Sequence, residues 1–366
     1  MMVWSRPVGD DLLAEDQPNL VEQMEFMARK HPDQVMLQGE QGQLTWADFR
    51  QAVRAVASWM RREGQMRPGD RVGLYRTDGF AYLILLYGCW MARLIPVNLG
   101  LALDNQTLSV RLQESGCRML VIGQAHLVAC QTALLRSPVR KVVVTRPDDT
   151  VPLWSWLAHR LDPRIWWRLL RQEDTLFEPY ALRDILEEQG SRRFDPLDPE
   201  QIALIHYTNG LSSEPRAVSY NFGVLMSAVA RASALYSEWL LPNRLHVCWV
   251  PLSLSLGLGY GLLVLYRGGR LCLSSVAGLR RHPARMLEQA VSMAGHPAVY
   301  RHLQEAQLPP ELLQQARLFF CGGAHVPLAL QQEQMWRHTQ QTGRRRCGLP
   351  ASMGMSEWCG RCLTLA

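Results

Sequence analysis

The chain has no GxxxxGK[ST] phosphate loop: no Gly-Lys pair follows Gly210 at the required spacing. It has little single-sign charge. The net charge is +6 on 366 residues, and the one short basic block, Arg344-Arg345-Arg346, has no aromatic residues interleaved. A nucleic-acid surface is therefore not expected. Met1 to Asp16 has no continuous apolar core of the kind that directs export. The apolar run Phe80–Met91 stops before Arg93 and is too short to span a bilayer. Nine scattered cysteines then read as free thiols in a reducing compartment. Cys359-Gly360-Arg361-Cys362 has only four residues after it, so the body of a thioredoxin-type redox site does not follow. Gly257, Gly259 and Gly261 lack the acidic partner that dinucleotide binding needs.

What is present is a globular profile, 48% hydrophobic and 20% charged, long enough for two or three domains' worth of core. Thr45 suits a helix N-cap, with Asp48 three residues on. Phe49, Val53, Val56 and Met60 follow at helical spacing and Gly64 ends the run. Residues 71–75, 94–98, 119–122 and 141–145 read as strands, and 80–91 and 105–115 as helices, the latter ending at Gly116. This alternation predicts parallel α/β layers.

One stretch organises the rest. Residues 201–205 form an apolar run suited to a buried strand, and a helix-like segment starts near Asn221. Between them lie Tyr207, Thr208, Asn209, Gly210, Leu211, Ser212, Ser213, Pro215 and Arg216. A loop of small residues brings backbone N–H groups close to phosphate oxygens, and a nearby cation neutralises charge. The same residues also fit an ordinary strand-to-helix turn.

The stretch resembles the Tyr-Thr-Ser-Gly-Thr-Thr-Gly-x-Pro-Lys-Gly-Val loop of the adenylate-forming enzymes. Tyr207, Thr208, Gly210, Pro215 and Val218 match, with Ser212 for threonine and Arg216 for lysine. Leu211 replaces a hydroxyl, and Ser213 and Ala217 replace two glycines. Other blocks follow in the family's order. Leu44 to Phe49 with Pro68 to Val72, and Ile95 to Asn98, resemble acyl-CoA synthetase segments. Pro251, Leu252 and Gly257 match a Pro-Leu-Phe-His-x-x-Gly block, with Ser253 for the aromatic and Leu254 for the histidine. Gly322-Gly323-Ala324 resembles the turn along the adenine. Met353-Gly354-Met355-Ser356-Glu357 resembles Tyr-Gly-Met-Thr-Glu, which makes Glu357 the magnesium-binding position.

The resemblance implies stacked α/β layers of an adenylate-forming N-terminal domain, akin to long-chain fatty acyl-CoA synthetases, without the C-terminal domain. The expected parts are 19–150, a Trp/Arg-rich insertion at 151–195, and 196–366 with the phosphate loop. ATP and Mg2+ are the implied cofactors and CoA the co-substrate. A small carboxylate, such as a fatty acid, is the implied substrate, and a C-terminal domain in trans an implied partner. No catalytic residue is assigned. The expected activity is carboxylate adenylation followed by thioester formation, weak or absent in the lone chain. The alternative is a non-catalytic relative that binds an acyl chain, a nucleotide or a partner protein. Trp154, Trp156, Trp166 and Trp167 alternate with Arg160, Arg164, Arg168 and Arg171, and Pro163 divides the run. This pattern suits either a membrane interface or a surface helix packed on the core. The expected location is cytoplasmic, with peripheral contact at the inner face of a membrane.

Overall fold

Helix boundaries follow from capping chemistry. The Asp48 amide donates to Thr45 Oγ1 at 3.1 Å, and the Thr45 amide donates to Asp48 Oδ2 at 3.1 Å. This capping box satisfies two of the amides that a helix start leaves without partners. Asn19 and Glu22 build the same device one helix earlier. Gly116, at φ +63°, closes a third helix in the left-handed conformation that glycine adopts most readily.

The computed structural model describes residues 18–40, 42–77, 79–146, 149–150, 177–191, 194–207, 216–281, 283–305 and 316–322. In chain order these form α1 (Leu20–Lys30), β1 (Val35–Gly39), β2 (Gly42–Thr45), α2 (Trp46–Arg62), β3 (Arg71–Tyr75), α3 (Gly79–Met91), β4 (Ile95–Asn98) and α4 (Asn105–Ser115). Then come β5 (Cys117–Gly123), α5 (Gln124–Leu127), α6 (Gln131–Leu135), β6 (Lys141–Thr145), β7 (Glu178–Ala181), α7 (Leu182–Leu186), β8 (Ile202–Tyr207) and β9 (Ala217–Asn221). The last described elements are α8 (Phe222–Leu235), β10 (Leu245–Cys248), α9 (Ser255–Tyr266), β11 (Arg270–Leu273), α10 (Val276–Arg281), α11 (Pro283–Leu287), β12 (Ala290–Gly295), α12 (Pro297–Glu305) and β13 (Leu318–Cys321).

The chain divides into two units, and the division falls inside β1. One unit holds residues 37–221 and 251–254, the other 1–36, 222–250 and 255–366.

The first unit is built on a seven-stranded sheet in the order β7-β6-β5-β3-β4-β8-β9. Its neighbours are parallel except β8 and β9. Parallel strands are covered on both faces and so read as continuous apolar runs. Helix α3 is buried at every residue from Phe80 to Met91, which explains why its sequence shows no polar face. It lies against α2 at Gly88, where an added Cβ would come within 2.5 Å of Val56 Cγ1. Phe49 and Tyr87 meet edge to face at 5.3 Å. Trp90 Nε1 donates to the Ala203 carbonyl at 2.6 Å, which ties α3 to β8. Burying each large apolar side chain contributes about 1.5–3 kcal/mol. Of the Trp/Arg-rich stretch 151–195, the tryptophans and arginines named above lie outside the described residues. Its later part supplies β7, an outer strand paired with β6, and α7.

In the other unit β13, β12, β10 and β11 lie side by side and parallel. Helix α1 packs on α9, and Gln23 Nε2 donates to the Tyr266 carbonyl at 3.0 Å. Gly257, Gly259 and Gly261 are buried within α9 and form no loop. Among the described residues no helix is long and apolar enough to cross a membrane.

Candidate nucleotide and acyl site

The central stretch departs from the strand-to-helix turn that the sequence suggests. Residues 217–221 form β9, antiparallel to β8, with Tyr207 opposite Ala217. Thr208 to Pro215 therefore connect two hydrogen-bonded strands, and the helix α8 begins only after β9. Thr208, Asn209, Gly210, Ser212 and Ser213 themselves lie outside the described residues. Arg216 is exposed at the head of β9. Ala217 sits in extended backbone, which any residue adopts. A residue other than glycine at 217 therefore imposes no strain.

Tyr207 is fixed from below. Its ring is 2% exposed, and its hydroxyl donates to the Arg111 carbonyl at 3.2 Å. The Arg111 guanidinium carbon lies 4.4 Å from the ring centroid, and Nη1 donates to the Leu99 carbonyl. Burial, followed by the nearby Glu114 charge, pushes the Tyr207 hydroxyl up to about 12. It stays a neutral donor at working pH. Burial also lowers Arg111. His206, next along β8, is pushed down to about 4 by burial and then by Arg111, so it stays neutral.

Asn98, fully buried at the end of β4, donates through Nδ2 to the Ser253 carbonyl at 2.9 Å and to the Tyr82 hydroxyl at 3.1 Å. Its Oδ1 accepts from the Gly100 amide at 3.3 Å. The Pro251–Leu254 segment is thus held through its own backbone, where side-chain identity matters less. Ser253 is buried and Leu254 half-buried. At the end of β3, Arg76 Nη1 lies 3.1 Å from His126 Nδ1. Arg76 has φ +48°, a costly conformation for a residue other than glycine. The lowered pKa of His126 comes from burial and then from this cation. Tyr207, Asn98 and Arg76 follow or end β8, β4 and β3, at the carboxyl edge of a parallel sheet. Ligands of open α/β sheets bind at that edge. The sequence reading missed Arg76, Arg111 and His126; an arginine directly after an apolar strand was the available signal.

In the other unit, β13 runs into Gly322, whose amide donates to the Gly295 carbonyl at 3.3 Å. Tyr300 Oη lies 2.7 Å from the Phe320 carbonyl and 3.2 Å from that of Met293, which braces this strand end. Gly323, Ala324, Met353, Gly354, Met355, Ser356 and Glu357 lie outside the described residues. No group of His, Cys, Asp or Glu that could hold a metal occurs among the described residues.

The AMP-binding enzyme family matches residues 24–365. The chain belongs to that family. A long-chain-fatty-acid–CoA ligase of Yersinia pestis is 26% identical over 278 residues, covering 73% of this chain and 49% of the ligase. The chain spans about half the length of that relative. The structure is similar to an anthranilate CoA ligase in complex with anthranoyl-AMP, with a TM-score of 0.70, 15% identity, and coverage of 90% of this chain and 59% of that one. It is also similar to a long-chain-fatty-acid-CoA ligase of Archaeoglobus fulgidus, with a TM-score of 0.69, 16% identity, and coverage of 90% and 62%. This AMP-binding protein thus has the adenylate-forming fold. The expected parallel α/β layers are present. Of the residues expected to hold ATP, Tyr207, Arg216 and Gly322 are described. Tyr207 is held rigidly, and Arg216 brings an exposed cation to the loop's far end.

Proposed function

We propose that this AMP-binding protein binds ATP through the β8–β9 connection and takes part in activating a small carboxylate of the fatty-acid class. The observation that carries the reading is the β8–β9 pairing, which places Tyr207 and Arg216 at the two ends of the connecting loop. Two antiparallel strands hold the ends of a short small-residue segment together, so its backbone amides can converge on an anion. By resemblance, Thr208, Asn209, Gly210, Ser212, Ser213 and Arg216 would contact the phosphates. Gly322, Gly323, Ala324, Met353, Gly354, Met355 and Ser356 would contact the adenosine, and Glu357 would bind Mg2+. When bound, ATP would supply an electrophilic α-phosphate for the carboxylate, and CoA a thiol for the later thioester. Tyr207 orients the start of the loop and Arg216 offers charge at its end.

Leu211 and Ser213 depart from the family's loop, and Met353 gives a softer contact than a stacked ring. They favour a second reading, a non-catalytic relative that holds a nucleotide or an acyl chain. Calorimetry with ATP and Mg2+ tests the first point. Arg216→Gln should weaken a measurable binding isotherm at least fivefold, and an isotherm indifferent to Arg216 would refute the loop assignment. Fatty-acid-dependent pyrophosphate release by residues 1–366, alone and with a C-terminal domain of a ligase added in trans, separates the two readings. Release in either mixture supports the ligase, and nucleotide binding without release supports the non-catalytic relative. The Trp154–Trp167 stretch is proposed to meet anionic lipid. Co-sedimentation with phosphatidylserine vesicles at low salt should then fall when Trp166 and Trp167 become alanine.

A further inference from the structure

A cleft of about 730 Å³ opens in the unit built on the seven-stranded sheet. Its walls come from the ends of α2 and α3 and from residues 189–191 and 194–195. Arg61, Arg62 and Arg93 line it, with Met91 and Phe194 as apolar wall and Asp195 as the carboxylate. Arg93 lies two residues before β4, and its partner Gln201 lies immediately before β8. The cleft therefore lies at the amino edge of the parallel sheet. The loop after Tyr207 leaves the carboxyl edge, the six-residue length of β8 away, about 20 Å. The two places are distinct.

Two arginines in the last turn of α2 have an ordinary explanation, since cations offset the negative end of a helix. Arg62 also pairs with Glu188 at 3.1 Å. Arg93 is not explained in that way. It occupies φ +59° two residues after the end of α3, a position that favours glycine. Arginine stands there at a conformational cost. Its Nε donates to Gln201 Oε1 at 3.3 Å, which orients the guanidinium and leaves its outer nitrogens without a bond among the described residues. The opposite wall is built to a close tolerance. The Ser191 amide donates to Ser58 Oγ at 2.6 Å, and a Cβ on Gly190 would lie 2.4 Å from the Arg54 carbonyl carbon.

We infer that this cleft is a binding site for a phosphate-bearing ligand of nucleotide size. The guanidiniums of Arg61, Arg62 and Arg93 would take the phosphates, Phe194 and Met91 the base, and Asp195 a ribose hydroxyl or an exocyclic amine. Planar guanidinium forks match phosphate oxygens in pairs. The volume lies within the range of small-ligand pockets.

ADP and inorganic pyrophosphate are the probes, without Mg2+ at low salt. Titration calorimetry is paired with hydrogen exchange read on peptides covering 87–95 and 189–191. Both peptides should gain protection with ADP, and ADP should bind at least threefold tighter than pyrophosphate. R93G should keep or raise the melting temperature, because glycine relieves the left-handed backbone, yet weaken ADP at this cleft at least fivefold. R61Q/R62Q should weaken it similarly. R216Q should leave this protection unchanged. R216Q-sensitive and R93G-sensitive binding thus report separately on the loop and on the cleft, so either assignment can fail alone. No protection at millimolar ADP, or an R93G protein that binds like the parent, would overturn the inference. Pyrophosphate binding as tight as ADP would overturn the nucleotide assignment.

Discussion

The guanidinium carbon of Arg111 lies 4.4 Å from the Tyr207 ring centroid, while the Tyr207 hydroxyl donates back to the Arg111 carbonyl. A helix and a strand are thereby locked at the point where the candidate phosphate loop begins. Arg111 also bonds the Leu99 carbonyl, so one side chain joins α4, the β4 exit and β8.

Arg111→Met keeps the stem's packing and removes the charge. It leaves the Leu99 carbonyl without its donor and Tyr207 without its cation. The expected loss is about 2–3 kcal/mol in urea unfolding. A loss below about 0.5 kcal/mol would show that the stack does not fix Tyr207.

Asn98→Leu removes two buried donations, to Ser253 and Tyr82. A buried carbonyl left without its partner costs about 1–3 kcal/mol. Hydrogen exchange of residues 252–255 should accelerate more than that of α3, because Ser253 loses its tether directly. Uniform acceleration across the unit would argue for a general packing defect.

Ala217→Gly restores the family's residue. Since 217 is extended and paired with Tyr207, the change should leave ATP affinity within twofold. It should also cost about 0.5–1 kcal/mol, because glycine weakens a strand. A large gain in affinity would mean that 217 adopts another conformation when ATP binds.

His206 and His246 are each pushed down to about 4, chiefly by burial, from an ordinary value of 6.5. The unfolded chain therefore takes up protons first as pH falls. Stability is retained above about 6.5 and declines between 6.5 and 4. At pH 5 each histidine costs about 2 kcal/mol by linkage. The melting temperature should fall from pH 7.5 to pH 5, and His246→Asn should flatten part of that slope. A melting temperature independent of pH in this window would contradict the burial of both rings.

Local signals were legible wherever one residue dictates the backbone. Thr45 and Asp48 announce α2, and Gly116 announces the end of α4. The apolar runs at 71–75 and 141–145 became strands because both faces of a parallel sheet are covered. The strand β9 was not legible. Ala217–Asn221 is short and half-exposed, and pairing with β8 defines it rather than any pattern of its own. The same holds for Arg111 and Tyr207, 96 residues apart, and for Asn98 and Ser253, 155 apart. Hydrogen bonds over such separations leave no periodic trace in the chain. The cleft beside Arg93 was hidden for a related reason: its walls come from three distant segments.

The packing of α1 on α9 has a consequence for synthesis. Gln23 and its acceptor, Tyr266, are 243 residues apart. A ribosome adding about 5–20 residues per second needs roughly 10–50 s to cover that distance. During this interval the buried face of α1, with Leu20, Met24 and Met27, has no partner from α9. Residues 37–221, most of the other unit, emerge meanwhile and can pack first. Helix α1 thus waits for α9, and while it waits it is a natural target for chaperones that bind short apolar segments.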